Sequence, residues 1–224
     1  MKVLNYGSLN VDYVYSVDHI IVGGETQHSS KMEIFSGGKG LNQSIALAKA
    51  GVPVYHAGIV GNDGDILLDA CKEAGVNTKY IRRLPVKGGH TMIQVDKNAQ
   101  NCIILYGGTN QMQTREFVDE VLADFGEGDY LILQNEINML DYIIDQAYEK
   151  KMKIVMNPSP FDDKLNSCDL GKVYLFLVNE IEVEKITGCK DKDQILDALA
   201  EKYPTARFVL TLGSDGGVYY DGKE

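Results

Sequence analysis

The feature that most constrains this chain is a repeated alternation of short β-rich runs with amphipathic stretches. Val3–Tyr6 reads as a strand, Gly40–Ala50 as a helix, Val54–Val60 as a strand and Asp63–Ala74 as a helix. In that second helix Leu67, Ala70, Cys71 and Ala74 fall at i, i+3, i+4 and i+7, one face of a 3.6-residue period, and Gly75 ends it. The grammar resumes with helix Thr114–Asp124, strand Asp129–Gln134, helix Leu140–Lys151, strand Lys153–Asn157, strand Val173–Asn179, helix Asp191–Tyr203 and strand Arg207–Leu212. Strands that take turns with helices call for a mainly parallel sheet wrapped by helices, the α/β class. A length of 224 residues fits one large domain of this kind, or one with an appendage.

Two stretches depart from the alternation. Val11–Phe35 and Gly88–Gly107 hold short β-rich runs with no intervening helix, and they read as antiparallel strands inserted into the main fold. Thr91–Asp96 and Asn101–Tyr106, joined through Lys97–Gln100, read as a hairpin. The expected organisation is an α/β body of residues 1–10, 36–87 and 108–224, with residues 11–35 and 88–107 forming a small β-sheet flap.

Charge and composition exclude several function classes. Lys and Arg number 22 against 32 Asp and Glu, a net charge of −10 that repels a phosphate backbone, and the basic residues do not cluster, so nucleic acid is not an expected partner. No run approaches the roughly 18 apolar residues of a membrane span. The first residues enter a strand pattern without a leader, so a cytoplasmic location is expected. Cys71, Cys102, Cys168 and Cys189 lie far apart and read as free thiols. His19, His28, His56 and His90 show no metal spacing and read as surface or flap residues.

In a parallel sheet all strand carboxyl ends share one edge, and ligands bind there. Here those ends are followed by Asn10 and Asp12, by Gln134, Asn135 and Glu136, by Asn157, by Asn179 and Glu182, and by Thr211, Gly213 and Ser214. A single polar strand end is commonly just a cap or turn. Five on one edge point to a cleft.

The second local signal is Ser36-Gly37-Gly38-Lys39-Gly40-Leu41-Asn42-Gln43-Ser44, a glycine-rich turn feeding a helix. Glycines let backbone N–H groups approach a ligand, and a helix N-terminus favours anions or hydroxyl oxygens. It is not a Walker loop, because Lys39 is followed by Gly40 rather than Ser or Thr. Gly7-Ser8-Leu9-Asn10 is not a dinucleotide fingerprint, which disfavours a nicotinamide dehydrogenase.

Taken in order, Gly7–Asp12, Gly23-Gly24-Glu25-Thr26 and Gly37–Gln43 resemble the amino-terminal signature of the PfkB-type carbohydrate kinases, ribokinase-like members in particular. The resemblance continues through Gly58–Asp63, Leu133–Glu136, Asn157–Pro160, Asn179–Glu182, Thr187-Gly188 and Thr211–Gly216, essentially the whole chain. It implies a ribokinase-like, three-layer doubly wound fold with the inserted flap as a lid, and a cytoplasmic phosphotransferase that uses ATP and Mg2+. It also implies that Asn10, Asp12, Gly38, Lys39, Asn42 and Glu136 hold the sugar, and that Asn179, Thr211, Gly213, Ser214 and Gly216 hold the nucleotide. Glu182 is expected to organise the metal through water, and the lids to pair two copies into a homodimer.

D-ribose, phosphorylated to ribose 5-phosphate, is the expected reaction. Fructose, a nucleoside or a sugar acid is the alternative within the family, and a non-catalytic sugar-binding protein the alternative outside it. The family's catalytic base sits in a Gly-x-Gly-Asp turn beyond the Thr-Leu-Gly loop, whereas this sequence ends at Asp221-Gly222-Lys223-Glu224. No catalytic residue is therefore assigned. The sequence as it stands is expected to be inactive, incomplete at the C-terminus and short of the family's monovalent-cation (K+) loop, with Val209 and Leu210 exposed.

Overall fold

The computed structural model describes residues 1–191 and 194–221. The chain runs β1 (Val3–Tyr6), β2 (Asn10–Ser16), β3 (Lys31–Gly37), α1 (Lys39–Lys49), β4 (Val54–Val60), α2 (Asp65–Ala74), β5 (Asn77–Arg83), β6 (Gly89–Val95) and β7 (Asn101–Tyr106). It continues with α3 (Arg115–Leu122), β8 (Tyr130–Gln134), α4 (Leu140–Glu149), β9 (Lys153–Asn157), β10 (Leu175–Asn179), α5 (Glu180–Thr187), α6 (Ile195–Lys202), β11 (Arg207–Thr211) and β12 (Gly217–Tyr220). The class is α/β with a mainly parallel sheet and a smaller second sheet. In the expected helix Asp191–Tyr203, Lys192 and Asp193 lie outside the described residues, as do 222–224 of the expected body.

Contacts divide the chain into two compact units, Met1–Tyr6 with Thr114–Glu224, and Gly7–Gln113. In the first, the strands lie in the order β12-β11-β10-β9-β8-β1. All neighbours are parallel except β11 and β12, which are antiparallel. Leu131, Ile132 and Leu133 of β8 are all buried, the continuous apolar run of a strand covered on both faces. Helix α3 starts where Thr114 Oγ1 accepts from Phe117 N at 3.3 Å, and buries Phe117, Val118, Val121 and Leu122. The Phe117 ring meets Tyr6 of β1 edge-on, centroids 6.0 Å apart. Phe208 stacks on Phe176 at 5.8 Å and on Tyr220 at 6.1 Å, tying β10, β11 and β12 together by contacts worth about 0.5–1.5 kcal/mol each beyond their area.

One strand is new here, and one sequence expectation changes. β12 carries no run of its own long enough to announce a strand, and pairing with β11 creates it. Leu210, expected exposed, is buried, standing in register between Val178 of β10 and Val218 of β12, while Val209 is half-buried.

In the second unit β4 and β5 pair in parallel, and α2 stops at Gly75, whose φ of 80° suits glycine. The remaining strands form a separate sheet in the order β3-β2-β6-β7. The β2–β3 and β6–β7 pairs are antiparallel, and the hairpin expected across Lys97–Gln100 is present. The central pair, β2 with β6, is parallel rather than antiparallel. The reason is connectivity: α1, β4, α2 and β5 intervene, and a crossover of that length lets two strands run the same way, which a short turn cannot do.

His56, expected on the surface, is completely buried in β4, where its Nδ1 lies 2.8 Å from Ser44 Oγ of α1. Period-2 alternation cannot flag it, because β4 is buried along nearly its whole length. His19 and His28 are exposed, and His90 lies half-buried in the small sheet. All four cysteines are free thiols. Among the described residues no helix is long and apolar enough to cross a membrane.

Candidate functional site

The expected sugar residues of the second unit sit where β2 opens and α1 begins. Asn10 and Asp12 are the first and third residues of β2, so they project to the same face of the strand. Asn10 is 2% exposed, and its Oδ1 accepts from Asn110 Nδ2 at 2.7 Å. Asn110 also accepts from Leu9 N at 3.0 Å through its own Oδ1. Asn10 therefore keeps its amide N–H groups as donors for a ligand. Asp12 is half-buried, and Thr91 Oγ1 of β6 donates to its Oδ1 at 2.6 Å. The parallel register sets that bond, since Asp12 and Thr91 are partners in the β2–β6 ladder.

The glycine-rich turn presses directly on this strand. Gly38 adopts φ 97°, a value open only to glycine at low cost, and a Cβ there would come within 2.9 Å of Ser8 O. A Cβ on Gly40 would meet Ser8 N at 2.5 Å, and one on Gly37 would overlap the Asp12 carboxylate. The first N–H groups of α1 are already taken: Gly40 N donates to Ser8 Oγ at 3.2 Å and Leu41 N to Ser8 O at 3.0 Å. The helix start is thus a clamp that fixes the turn against Ser8, with Lys39 half-buried and Asn42 exposed on its first turn.

The other expected residues belong to the first unit. Its strands β8, β9, β10 and β11 end in Gln134, Asn157, Asn179 and Thr211, a polar row in which Gln134 is in register with Asn157 and Asn179 with Thr211. Several members have local structural duties. Gln134 Nε2 donates to Asn5 Oδ1 at 2.9 Å, Asn157 Oδ1 accepts from Ser159 N at 3.0 Å, and Asn135 Nδ2 donates to Pro160 O at 2.6 Å. Asn135 Nδ2 also donates to Asp162 Oδ1 at 3.0 Å, and the two bonds fix the turn that carries the half-buried Glu136.

Asn179 and Glu182 form a reciprocal capping box at the start of α5. Asn179 Oδ1 accepts from Glu182 N at 2.9 Å, and Glu182 Oε2 accepts from Asn179 N at 3.0 Å. Glu182 is 8% exposed. Its second carboxylate oxygen is outside the box, so a metal held through water fits this donor. Among the described residues no three His, Cys, Asp or Glu side chains gather as an all-protein metal set. Thr211 is the exposed last residue of β11, and Gly213, Ser214 and Gly216 lie on the exposed loop that follows it before β12. Gly213 and Gly216 have φ of 59° and 94°, and Leu212 N donates to Gly216 O at 2.8 Å, so the loop folds back on itself.

Sequence reasoning missed Thr91 and Asn110. Each acts across about 80 or 100 positions of chain, and only the strand register could have paired Thr91 with Asp12.

Comparison with known proteins adds three findings. The profile of the pfkB family carbohydrate kinases matches residues 1–224. A ribokinase of Haemophilus influenzae is 31% identical over 196 residues, covering 84% of this chain and 63% of the relative. A deoxyribokinase of Salmonella typhi is 28% identical over 193 residues, with the same coverages of 84% and 63%. The chain therefore spans less than two thirds of the length of these relatives. The crystal structure of a ribokinase from Cryptococcus neoformans in complex with ADP superposes with a TM-score of 0.83 at 26% identity, covering 100% of this chain and 76% of that one.

Proposed function

The chain belongs to the pfkB family of carbohydrate kinases, and on that footing we propose that it binds a sugar and ATP for transfer of a phosphoryl group to a sugar hydroxyl, with D-ribose as the substrate and ribose 5-phosphate as the product. The observation that carries the reading is the Asp12 carboxylate, held half-buried by Thr91 against a turn whose glycines leave room for nothing larger. A carboxylate with one oxygen fixed can still accept from ligand hydroxyls, and it penalises a sugar lacking them. Asn10, Gly38, Lys39, Asn42 and Glu136 complete the proposed sugar contacts. The relative named as a deoxyribokinase makes a deoxy sugar the competing substrate.

On the nucleotide side Asn179, Thr211, Gly213, Ser214 and Gly216 are the proposed contacts, and the ADP held by the Cryptococcus ribokinase supports ATP as the donor. Magnesium would be held by the nucleotide phosphates and, through water, by Glu182; it would offset the charge that develops on the phosphoryl oxygens. We further infer that residues 11–35 and 88–107 are a lid that meets the lid of a second copy. Ile34, Tyr13, Met92 and Ile104 are register partners across the four strands and so share one face, on which Ile34, Met92 and Ile104 are 46%, 47% and 62% exposed. An apolar face of this kind suits a two-fold related copy of itself.

Calorimetric titration of the chain with D-ribose, 2-deoxy-D-ribose and D-fructose tests the sugar assignment. Ribose should bind more tightly than the other two, and Asp12→Ala should weaken it by about 1.5–3 kcal/mol per lost charge-assisted bond. Tighter binding of deoxyribose would reassign the substrate, and ribose affinity unchanged by Asp12→Ala would overturn the site.

A further inference from the structure

The edge of the sheet opposite the polar strand ends is built differently from the rest of this acidic chain. Lys153 opens β9, Tyr174 immediately precedes β10 and Arg207 opens β11, so three neighbouring strands begin with a cation, a phenol and a cation. Lys153 Nζ lies 5.2 Å from the Tyr130 ring centroid and 5.3 Å from that of Tyr174. The Arg207 guanidinium lies 4.9 Å from the Tyr174 ring, and its Nη1 donates to the Tyr174 hydroxyl. Beside them opens a cavity of about 470 Å3, whose polar lining comes from Lys151, Lys153, Lys172, Tyr148, Tyr174 and Thr205, with no acidic residue in its wall.

The charges around this cavity do not cancel. Lys172 pairs with Asp145 at 2.7 Å and approaches Asp169 at 3.7 Å, and Lys151 faces Glu127 at 3.6 Å. Lys153 and Arg207 have no carboxylate partner among the described residues; their polar partners are tyrosine hydroxyls, Tyr130 at 3.4 Å for Lys153 and Tyr174 for Arg207. A hydroxyl that accepts from a cation keeps its own proton to donate. Tyr174 and Thr205 thus join the ammonium groups in a wall that offers donors and positive charge. Such a wall is complementary to an oxyanion with several acceptor oxygens.

We propose that this amino-terminal edge of β9, β10 and β11 is a second anion-binding site, taking inorganic phosphate or the phosphate group of a small monoester. It is separate from the row ending in Asn157, Asn179 and Thr211, because β9 alone puts about 13 Å between Lys153 and Asn157. Lys153 and the Thr205 hydroxyl contact the anion, and Arg207 acts as a positioning residue through Tyr174. The site does not depend on the kinase reading.

The test is a titration of the 15N-labelled chain at constant ionic strength, in parallel arms with inorganic phosphate, glycerol 3-phosphate, malonate and chloride. Phosphate and the monoester should give saturable shifts at the amides of Lys153, Tyr174, Thr205 and Arg207, with Kd in the millimolar range, and whichever binds more tightly identifies the natural form. Lys153→Gln should weaken binding by about tenfold, and Lys151→Gln, which leaves the Arg207–Tyr174 contact intact, should weaken it less. Glu182→Gln should leave these shifts unchanged. Absence of saturable shifts at these amides, shifts confined to residues 179–182 and 211–216, or equal shifts with chloride would overturn the site. Malonate binding as tightly as phosphate would overturn the choice of phosphate.

Discussion

Thr91 donates its hydroxyl to the Asp12 carboxylate at 2.6 Å across the one parallel pair of the small sheet. The bond orients Oδ1 of Asp12, and the other oxygen lies against Gly37, where a Cβ would stand 1.9 Å from Oδ2. The carboxylate is therefore held between a neighbouring strand and a glycine turn, and its direction depends on both.

Gly37→Ala should separate binding from stability. The added methyl meets the far end of the Asp12 side chain rather than backbone, so the carboxylate swings away and the Thr91 bond is lost. Unfolding free energy should fall by only about 1 kcal/mol, while ribose affinity measured by calorimetry should drop at least as far as in Thr91→Val. Equal ribose binding in Gly37→Ala and the parent chain would show that the orientation of Asp12 is irrelevant to the ligand.

The capping box lets the structural and ligand roles of Glu182 be told apart. Asn179→Ala removes the side chain that accepts from Glu182 N and should cost about 1 kcal/mol in urea denaturation. Glu182→Gln keeps an acceptor for Asn179 N but removes a negative charge at the helix N-terminus, so stability should fall by no more than about 1 kcal/mol. ATP affinity in the presence of magnesium should nevertheless fall by about tenfold, with little change when magnesium is omitted. Identical magnesium-dependent affinities for Glu182→Gln and the parent would leave Glu182 as a cap only.

Burial holds the His56 imidazole neutral and pushes its pKa down from 6.5 to about 4. The unfolded chain takes up a proton at that residue near pH 6.5, while the folded chain resists until about pH 4. Stability from this group is complete above pH 6.5 and is lost as pH falls through that window, by about 2 kcal/mol between pH 7 and pH 5. Urea denaturation at the two pH values should show this difference, and His56→Gln should abolish it whatever its own baseline stability. A parent chain equally stable at both values would mean that His56 is protonated in the folded state.

The apolar face of the small sheet should govern assembly. Met92→Asp combined with Ile104→Asp places two charges on register-paired positions of that face. Light scattering at micromolar concentration should find a dimer for the parent chain and a monomer for the variant, both with the same circular dichroism spectrum. A parent chain that is already monomeric would remove the proposed lid pairing.

The parts of this fold readable from the amino-acid order are those settled within a few residues. β1, β4 and β9 begin and end where the β-rich runs do, Thr114 caps α3 and Gly75 stops α2, because dihedral preference, capping and the 3.6-residue period act over one or two turns. The polar strand ends and the glycine turn were equally visible. β5 and β12 escaped notice because an edge strand needs little apolar sequence of its own once a neighbour supplies the ladder. The parallel β2–β6 pair, the burial of His56, the hold of Asn110 on Asn10 and the Thr91–Asp12 bond all join positions separated by long stretches of chain. No local preference encodes them: a side chain's surroundings follow from strand register and helix packing, which exist only once the whole sheet has assembled.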